Sequence, residues 1–433
     1  MKKVAFYTLG CKVNQYETEA MLEMFKKDGY TQVESEEFAD VYVINTCTVT
    51  HMSDRKSRQY IRRMKKKNPD AIIAVVGCYS QVSPEEILEI EEVNLVMGTN
   101  ERRQIVEEIK KLDATKKAST VDDIMKVRAF EEIEINQTNG RTRAFMKIQD
   151  GCDRFCTYCI IPYARGGKVR SRDLESIVNE AKKLADNGYK EIVLTGIHVA
   201  SYGKDFENNY DLISLLEDIN KIEGIERIRL GSIEPLWLTT EVLERLINNV
   251  NKFCPHFHLS LQSACTETLK RMNRRYTIEE FKDIVNKIRK YYKNPVLTTD
   301  IIVGFPEETD EEFEITYNNL KEIAFYKMHV FKYSPRKGTV AAKLKGQISG
   351  DIKDERSKKL LNMSDEFEKM YQEKYIGLDV NVLVEEQDEQ GFFRGHTSNY
   401  IMVKVKSNID LCNKIINVKI KEIDDFILVG EMM

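Results

Sequence analysis

No segment of this sequence is apolar for long enough to cross a membrane. The longest apolar runs, such as residues 71–76, fall far short of the roughly 20 residues that a bilayer requires. The first ten residues have neither a longer apolar core nor a small-residue cleavage site, so they do not look like a signal peptide. We therefore expect a cytoplasmic protein with no membrane partner.

The sequence also lacks low-complexity tracts and a strong excess of either charge. Of its 433 residues, 42% are hydrophobic and 31% are charged, which is typical of a folded globular chain. This length exceeds what one hydrophobic core usually serves and predicts about three domains, at roughly 150 residues each. Because the net charge is −4, binding to nucleic acid would depend on local basic patches.

Hydrophobic periodicity divides the chain into three predicted domains. The first, residues 1–125, alternates short apolar runs with charged helical stretches, which predicts an open α/β domain. The second, residues 140–370, repeats strand and helix patterns six times and predicts an incomplete parallel (βα)6 barrel. In the third, residues 371–433, dense alternation predicts a small antiparallel β-barrel. The predicted strands are residues 4–9, 41–46, 71–77, 94–98, 144–149, 191–196, 227–231, 256–261, 295–303, 326–333, 380–384, 401–405, 418–420 and 426–429.

Three cysteines directly follow the first predicted barrel strand, in the order C-x3-C-x2-C. We call Cys152, Cys156 and Cys159 the loop cysteines. Nine cysteines in a chain without an export signal favour metal ligation or redox chemistry over disulfides. Three thiolates on one tight loop can bind three irons of a 4Fe–4S cluster and leave the fourth iron open to a substrate. The alternative is a zinc knuckle, but structural zinc needs a fourth ligand nearby, and the next histidine is His198.

The residues around the loop cysteines resemble the radical S-adenosylmethionine superfamily and, within it, the methylthiotransferase family. The similarity includes QDGCDRFCTYCIIPYARG at 149–166, TLGCKVNQYE at 8–17 and NTCTVT at 45–50. It extends over essentially the whole chain, in the three-domain order of the family. The resemblance implies an enzyme that uses S-adenosylmethionine and two 4Fe–4S clusters, the first of them bound by the loop cysteines.

Three further cysteines each follow a predicted strand of the first domain. We call Cys11, Cys47 and Cys78 the strand-end cysteines. Because ligand sites in open α/β sheets gather at the carboxyl ends of the strands, these thiols are expected to converge. The alternative is three unrelated buried thiols, which are common one by one. The family resemblance implies that they bind a second, auxiliary 4Fe–4S cluster, the one that handles sulfur.

The remaining cysteines show no such pattern and are interpreted as ordinary thiols. They are Cys254, Cys265 and Cys412. Cys254 with His256 and His258 could form a metal group, but the alternation of this segment fits a barrel strand, which favours packing.

Small and polar residues at the ends of the barrel strands predict a cofactor pocket, because parallel barrels place their chemistry there. By resemblance to the superfamily, Gly196 would let the backbone approach the methionine amino group. The predicted cofactor-binding residues are Tyr158, Thr195, Gly196, Ser232, Glu234, Gln262 and Val303. For each of them, the alternative is a strand end that contacts no ligand.

Two groups of basic residues predict contact with RNA phosphates. Residues 55–67 contain eight basic residues and no acidic one, although such a helix face can also be merely solvated. Basic residues after the loop cysteines, and those at 271–275, are further candidates. The predicted RNA-binding residues are Arg55, Lys56, Arg58, Arg62, Arg63, Arg165, Arg170 and Arg172.

The C-terminal segment resembles the TRAM domain, a small RNA-binding barrel. From Tyr371 onward, however, seven basic residues stand against eleven acidic ones, which disfavours a phosphate-binding surface. Contact with RNA through stacking is the alternative there. Its candidates are Phe392, Phe393, Arg394 and His396.

The family resemblance implies that S-adenosylmethionine is cleaved to a 5′-deoxyadenosyl radical and that a methylthio group is attached to its target. Three substrate branches compete: N6-threonylcarbamoyladenosine in tRNA (position 37, next to the anticodon), N6-isopentenyladenosine in tRNA, and an aspartate of a ribosomal protein. The sequence GCKVNQYE at 10–17 is similar to that of the first branch, since the second branch typically has Gln-Met in place of Lys12 and Val13.

This branch predicts methylthiolation at C2 of the adenine, with tRNA bearing N6-threonylcarbamoyladenosine as the partner. The candidates for pairing with the carboxylate of its substituent are Lys12, Arg154 and Arg165. An electron donor such as a flavodoxin or a ferredoxin is a second expected partner, and the sequence does not indicate the sulfur donor. The alternative from another class is a non-catalytic iron–sulfur sensor that binds RNA.

Overall fold

The computed structural model describes residues 2–49, 51–133, 135 and 142–433. Its first sheet has six parallel strands in the order β2-β1-β3-β4-β5-β6. Central strand β3 is buried at every position, as expected of a parallel strand that is covered on both faces. The strands are β1 (Lys3–Thr8), β2 (Thr31–Val33), β3 (Val41–Thr46), β4 (Ile72–Gly77), β5 (Leu95–Val96) and β6 (Ala118–Ser119).

Helices cover both faces of this sheet. Phe25 of the first helix and Ile109 of the fifth pack on one face, while Tyr60 and Met64 of the second helix pack on the other. The sequence predicts β1, β3, β4 and β5 but misses β2 and β6, which are too short to show a period. The helices are α1 (Lys12–Lys27), α2 (His51–Lys67), α3 (Cys78–Val82), α4 (Pro84–Leu88) and α5 (Ile105–Lys110).

The six predicted barrel strands are all present, arranged as two sheets. One has the order β10-β9-β7-β8 and the other β11-β12-β13-β14, with every pair parallel except β7 with β8. The third predicted strand, residues 227–231, corresponds to β10, and the two sheets separate at Gly231, between β10 and β11. The strands are β7 (Arg143–Asp150), β8 (Arg170–Ser171), β9 (Glu191–Gly196), β10 (Arg227–Leu230), β11 (Ser232–Ile233), β12 (His256–Gln262), β13 (Val296–Val303) and β14 (Lys327–Lys332).

Amphipathic helices connect the barrel strands and bury one face against them. Two of these helices begin with a complete capping box, Thr277 with Glu280 and Thr309 with Glu312, which satisfies backbone N–H groups of the first turn. The helices are α6 (Ile161–Arg165), α7 (Leu174–Asp186), α8 (Leu212–Asn220), α9 (Thr240–Asn249), α10 (Thr266–Arg271), α11 (Ile278–Tyr291) and α12 (Asp310–Ile323).

A long helix, α13 (Gly350–Glu373), leads to a closed C-terminal barrel of five strands in the order β15-β16-β17-β19-β18. The barrel is closed, as predicted, and one of its pairs, β17 with β19, is parallel. In the described part of the chain, no helix combines the length and the apolar character that a membrane span requires. The strands are β15 (Asp379–Gln387), β16 (Phe392–Thr397), β17 (Met402–Lys406), β18 (Ile415–Asp424) and β19 (Ile427–Met432).

Candidate functional site

The strand-end cysteines lie at one edge of the first sheet, because each follows one of the adjacent parallel strands β1, β3 and β4. A Cβ atom placed on Gly10 would be 2.8 Å from Cβ of Cys47, so the turn that carries Cys11 packs directly on Cys47. The Asn14 side chain joins the two loops by donating to the carbonyl oxygens of Leu9 (2.7 Å) and Thr46 (3.0 Å). The three thiols therefore converge, as the strand-end argument predicts.

The surroundings raise the pKa of two of these thiols. Burial, together with the neighbouring Cys78, raises the pKa of Cys47 to about 12. Burial also raises the pKa of Cys78, against the opposing effect of the Arg165 guanidinium, whose Nε lies 3.2 Å from its Sγ. Because metals bind the thiolate, iron binding here would release protons and supply the positive charge that the thiolates need.

The loop cysteines lie on a tight turn that the barrel fixes from two sides. Gly151 has a φ of +74°, and a Cβ there would collide with the Lys168 carbonyl oxygen at 2.0 Å, so the turn requires glycine. Thr157 anchors the turn through its N–H to the Met272 carbonyl oxygen at 3.1 Å. Burial raises the pKa of Cys152 to about 11 and that of Cys159 to about 12.

Arg274 is the cation beside the loop cysteines. Its Nη1 lies 3.6 Å from Sγ of Cys156, and its Nη2 lies 3.1 Å from the Glu234 carboxylate. Burial disfavours the charge, but the neighbouring Tyr276, Tyr158 and Glu234 outweigh it and raise the pKa of Arg274. Contrary to the prediction for residues 271–275, Arg274 is directed at a cysteine and not at an RNA surface.

The donor sets fit iron–sulfur clusters better than single metal ions. Among the described residues, only His258, Asp300 and His329 bring three ligand atoms within 4.8 Å of one another. Neither cysteine group has this compact arrangement, which a single tetrahedral zinc requires. In a 4Fe–4S cluster each cysteine binds a different iron, so the sulfurs need not be so close. Each group also has an arginine guanidinium beside a sulfur, which offsets thiolate charge.

Arg165 connects the two cysteine groups. It ends α6, shortly after Cys159, and its side chain crosses to Cys78, to Asn14 (2.6 Å) and to Glu17 (2.9 Å). Burial would raise the pKa of Glu17, but Arg102, Arg165 and Lys147 keep it well below its usual range. A buried ion network thus joins the first sheet to the barrel.

Three of the predicted RNA-binding arginines are buried, contrary to the prediction. Arg165 and Arg172 are 0% exposed and Arg170 is 2% exposed. Arg172 binds Glu180 at 2.6 Å, and Arg170 donates to the Arg165 carbonyl oxygen at 2.9 Å. Their charges are used inside the protein, so phosphates cannot reach them.

The other predicted RNA-binding residues lie on α2. Arg58 is paired with Glu86 at 3.1 Å, and Arg63 with Glu36. The remaining three are exposed and form no ion pair within the described residues: Arg55, Lys56 and Arg62. This helix follows Cys47 closely, so its free basic groups stay candidates for phosphate contact.

Two adjoining cavities connect the surroundings of the two cysteine groups. The first, of about 880 Å³, is lined by Cys11, and we call it the inner cavity. The second, of about 230 Å³, is lined by Cys159, and we call it the small cavity. Asp300 and Phe331 line both, so the cavities meet at these two side chains.

Most of the predicted cofactor-binding residues border these cavities. Thr195, Gly196 and Ser232 line the inner cavity, while Tyr158 and Gln262 line the small one. Two residues do not line either cavity. They are Glu234, which binds Arg274, and Val303, which is 1% exposed.

Gly196 also has a purely structural reason to be glycine. A Cβ there would lie 2.9 Å from the Gln149 carbonyl oxygen on the neighbouring strand β7. Contact of these residues with the cofactor therefore stays a prediction.

The C-terminal barrel contributes to the inner cavity, which the sequence does not predict. Tyr400, with a φ of +74°, is stacked between His256 and His396, at ring distances of 4.8 and 4.4 Å. Of the predicted stacking residues, Phe393 is instead buried in the core of the C-terminal barrel. His396 does line the cavity.

The group of His258, Asp300 and His329 is also missing from the predictions. Its members lie on the adjacent strands β12, β13 and β14, and His258 Nε2 lies 3.2 Å from Asp300. Cys254 is not part of this group. In the register Asp300 lies opposite His329, and His258 lies opposite Thr298, two residues before Asp300 on β13. This placement on neighbouring parallel strands is the signal that could have indicated the group.

Replacing Gly10 by alanine is expected to damage the strand-end site selectively. The added Cβ would meet Cβ of Cys47 at 2.8 Å, on a backbone with a φ of +108°. Reconstituted Gly10→Ala should lose auxiliary cluster iron, from about eight toward about four irons per chain, while it still cleaves S-adenosylmethionine. The control is Gly29→Ala, which has a φ of +85° and nothing within 4 Å, so it adds the backbone strain without the collision. Full iron content in Gly10→Ala would contradict this account.

Comparison with known proteins identifies the family. Residues 3–98 match the uncharacterized protein family UPF0004, and residues 146–320 match the radical SAM superfamily. The chain is 46% identical to the threonylcarbamoyladenosine tRNA methylthiotransferase MtaB of Bacillus subtilis over 97% of this chain and 94% of that protein. The chain belongs to the radical S-adenosylmethionine methylthiotransferase family.

Other relatives fall into two groups by substrate. MtaB of Aquifex aeolicus is 43% identical over 93% of this chain and 96% of its own length. A tRNA-2-methylthio-N(6)-dimethylallyladenosine synthase of Clostridium botulinum is 39% identical over 98% of this chain and 95% of its own length. The family and the enzyme class predicted from the sequence are thereby confirmed, with S-adenosylmethionine and 4Fe–4S clusters as the cofactors.

The fold has a solved counterpart. The radical S-adenosylmethionine methyltransferase TsrM of Kitasatospora setae, determined with cobalamin and a 4Fe–4S cluster bound, superposes with a TM-score of 0.55. The superposition covers 77% of this chain and 77% of TsrM, at 14% sequence identity. This similarity confirms that the chain has the radical SAM fold.

Proposed function

We propose that this enzyme attaches a methylthio group to C2 of N6-threonylcarbamoyladenosine next to the anticodon of tRNA. The observation that carries the proposal is the pair of adjoining cavities between the two cysteine groups. One substrate base in the inner cavity would lie close to the strand-end cysteines on one side and to the small cavity on the other. The relatives named MtaB support this substrate, at 46% and 43% identity over nearly their whole length.

The two cysteine groups have separate proposed roles. The loop cysteines would bind the cluster that contacts S-adenosylmethionine, and the strand-end cysteines would bind the auxiliary cluster. When bound, these groups supply reductive cleavage of S-adenosylmethionine and the sulfur to be transferred. The protein positions them: Arg274 and Arg165 offset thiolate charge, and the fixed turn at Gly151 sets the orientation of the loop cysteines.

Access for the tRNA is proposed along the inner cavity, whose wall includes residues of the first sheet, the barrel and the C-terminal barrel. Phe426 is 41% exposed and lines this cavity, which suits stacking on a nucleotide. The free basic residues of α2 would contact phosphates. The C-terminal barrel would then act as an RNA-binding domain of the TRAM type.

The substrate is tested by direct competition. Reconstituted enzyme is offered equal amounts of tRNA with N6-threonylcarbamoyladenosine and tRNA with N6-isopentenyladenosine, and the digested products are quantified by mass spectrometry. We expect methylthiolation of the first, with a preference of up to roughly 10⁴-fold, because a polar pocket loses its hydrogen bonds with an apolar substituent. Preferential modification of the isopentenylated tRNA would refute this substrate and leave the methylthiotransferase class unaffected.

A further inference from the structure

Lys12 is a cation without a counter-ion in the wall of the inner cavity. Among the described residues it forms neither an ion pair nor a hydrogen bond, and its Nζ lies 6.0 Å from the ring centroid of Phe145. The charged and titratable groups that face it are Arg229, Arg143, Tyr400 and Glu191. An ammonium group in such a position is stabilised by any anion that enters the cavity.

The surrounding charges do not compensate Lys12. Arg229 is bound to Glu191 at 2.7 Å, and Arg143 to Glu385 at 2.9 Å, so each of these acids is already paired. Of the three acids that line the same cavity, Asp300 is bound to His258 and Glu368 to Lys327. The third, Asp425, is exposed and forms no ion pair with Lys12 among the described residues.

The backbone at Lys12 adds to the attraction for an anion. Lys12 is the first residue of the 16-residue helix α1, and the preceding Cys11 gives no side-chain cap. The first turn of α1 contains no acidic residue. A helix N-terminus carries partial positive charge and free N–H groups, so it attracts an anion in the same direction as the Lys12 ammonium group.

We propose that Lys12 binds the carboxylate of the substituent on the substrate base, and so determines specificity for a carboxylated adenosine. This inference rests on the proposed function. Of the three candidates for this role, Arg165 is already paired with Glu17, and Arg154 does not line the inner cavity. Tyr400 lines the same cavity, and its hydroxyl, which accepts from Arg143, would be a second donor to the carboxylate.

The test compares two synthetic anticodon stem-loops, one with N6-threonylcarbamoyladenosine and one with its neutral carboxamide. Dissociation constants are measured with reconstituted, full-length enzyme in the absence of reductant, and turnover is measured separately. We expect wild-type enzyme to bind the carboxylate roughly 10- to 100-fold more tightly than the amide. Lys12→Met should bind both equally, mainly by losing affinity for the carboxylate, and Lys12→Arg should restore the preference.

The matched control is the double variant Lys327→Met, Glu368→Gln. It removes both charges of a pair, 2.9 Å apart, that lines the same cavity, so it adds no net charge and should leave the preference for the carboxylate over the amide intact. Iron content and 5′-deoxyadenosine formation establish that each variant retains its clusters. The wild-type comparison needs no variant, so the proposal stays testable if Lys12→Met does not fold.

The outcomes separate this inference from the proposed function. If wild-type enzyme modifies the threonylcarbamoyl stem-loop but does not distinguish acid from amide, or if Lys12→Met keeps the preference, Lys12 is not the carboxylate-binding residue. If wild-type enzyme modifies neither stem-loop and acts on an isopentenylated one, the proposed substrate itself is wrong.

Discussion

Replacing any one of the loop cysteines by alanine is expected to abolish cleavage of S-adenosylmethionine. A cluster bound by three thiolates cannot be retained in full with two, and its open iron is the position at which S-adenosylmethionine would bind. Formation of 5′-deoxyadenosine should fall below the detection limit in anaerobic assays with reductant. The measurement is chromatography of the products with mass detection, for enzyme reconstituted with iron and sulfide.

A control for this experiment must remove a thiol without touching either cysteine group. Cys412 lies between β17 and β18 of the C-terminal barrel and belongs to neither group, so Cys412→Ala should cleave S-adenosylmethionine normally. Substantial 5′-deoxyadenosine from Cys152→Ala, Cys156→Ala or Cys159→Ala would show that the loop cysteines are not the ligands of the catalytic cluster.

The convergence of the strand-end cysteines could be predicted because it depends only on topology. Each cysteine follows an apolar run, and adjacent parallel strands end at the same edge of a sheet. The register of β1, β3 and β4 then places the three positions together without any detail of side-chain packing. The six barrel strands are predictable for a related reason, because each is a separate apolar run between helical patterns.

The burial of the arginines could not be predicted from strand topology. Arg165 and Arg172 stand in a segment that is rich in basic residues, and density of charge in a sequence does not distinguish a surface patch from a buried ion network. The deciding partner of Arg165 is Glu17 on α1, which only the packing of the first sheet against the barrel brings close. The partner of Arg172 is Glu180 on the following helix α7, whose inward direction the charge density does not reveal.

The full lining of the inner cavity could not be predicted from local sequence either. Tyr400 and Lys12 both line this cavity although nearly the whole chain separates them. The sequence GCKVNQYE at 10–17 makes Lys12 a candidate, but no local pattern marks Tyr400 as part of a site. The positive φ of Tyr400 arises in the turn between β16 and β17, where Tyr400 N–H donates to the Thr397 carbonyl oxygen. Its place between His256 and His396 depends on how the C-terminal barrel docks.

Changing the strand-end cysteines to serine should separate cleavage of S-adenosylmethionine from transfer of sulfur. The loop cysteines belong to a different element, and the closest link between the groups is Arg165, which would retain its bonds to Glu17 and Asn14. In the triple variant Cys11→Ser, Cys47→Ser, Cys78→Ser we therefore expect 5′-deoxyadenosine at a rate comparable to that of wild type. Methylthiolated nucleoside should be absent, because no thiolates remain to hold the auxiliary cluster.

Both products are measured in one reaction, by mass spectrometry of the small molecules and of the digested tRNA. Iron should fall from about eight to about four per chain, which distinguishes loss of the auxiliary cluster from general unfolding. The complementary control is Cys156→Ala, which should lose both products. Sulfur insertion at the wild-type rate by the triple variant would mean that the convergence of the strand-end cysteines has another purpose. Loss of both products would mean that the two groups depend on each other, with the Arg165 network as the physical connection to examine next.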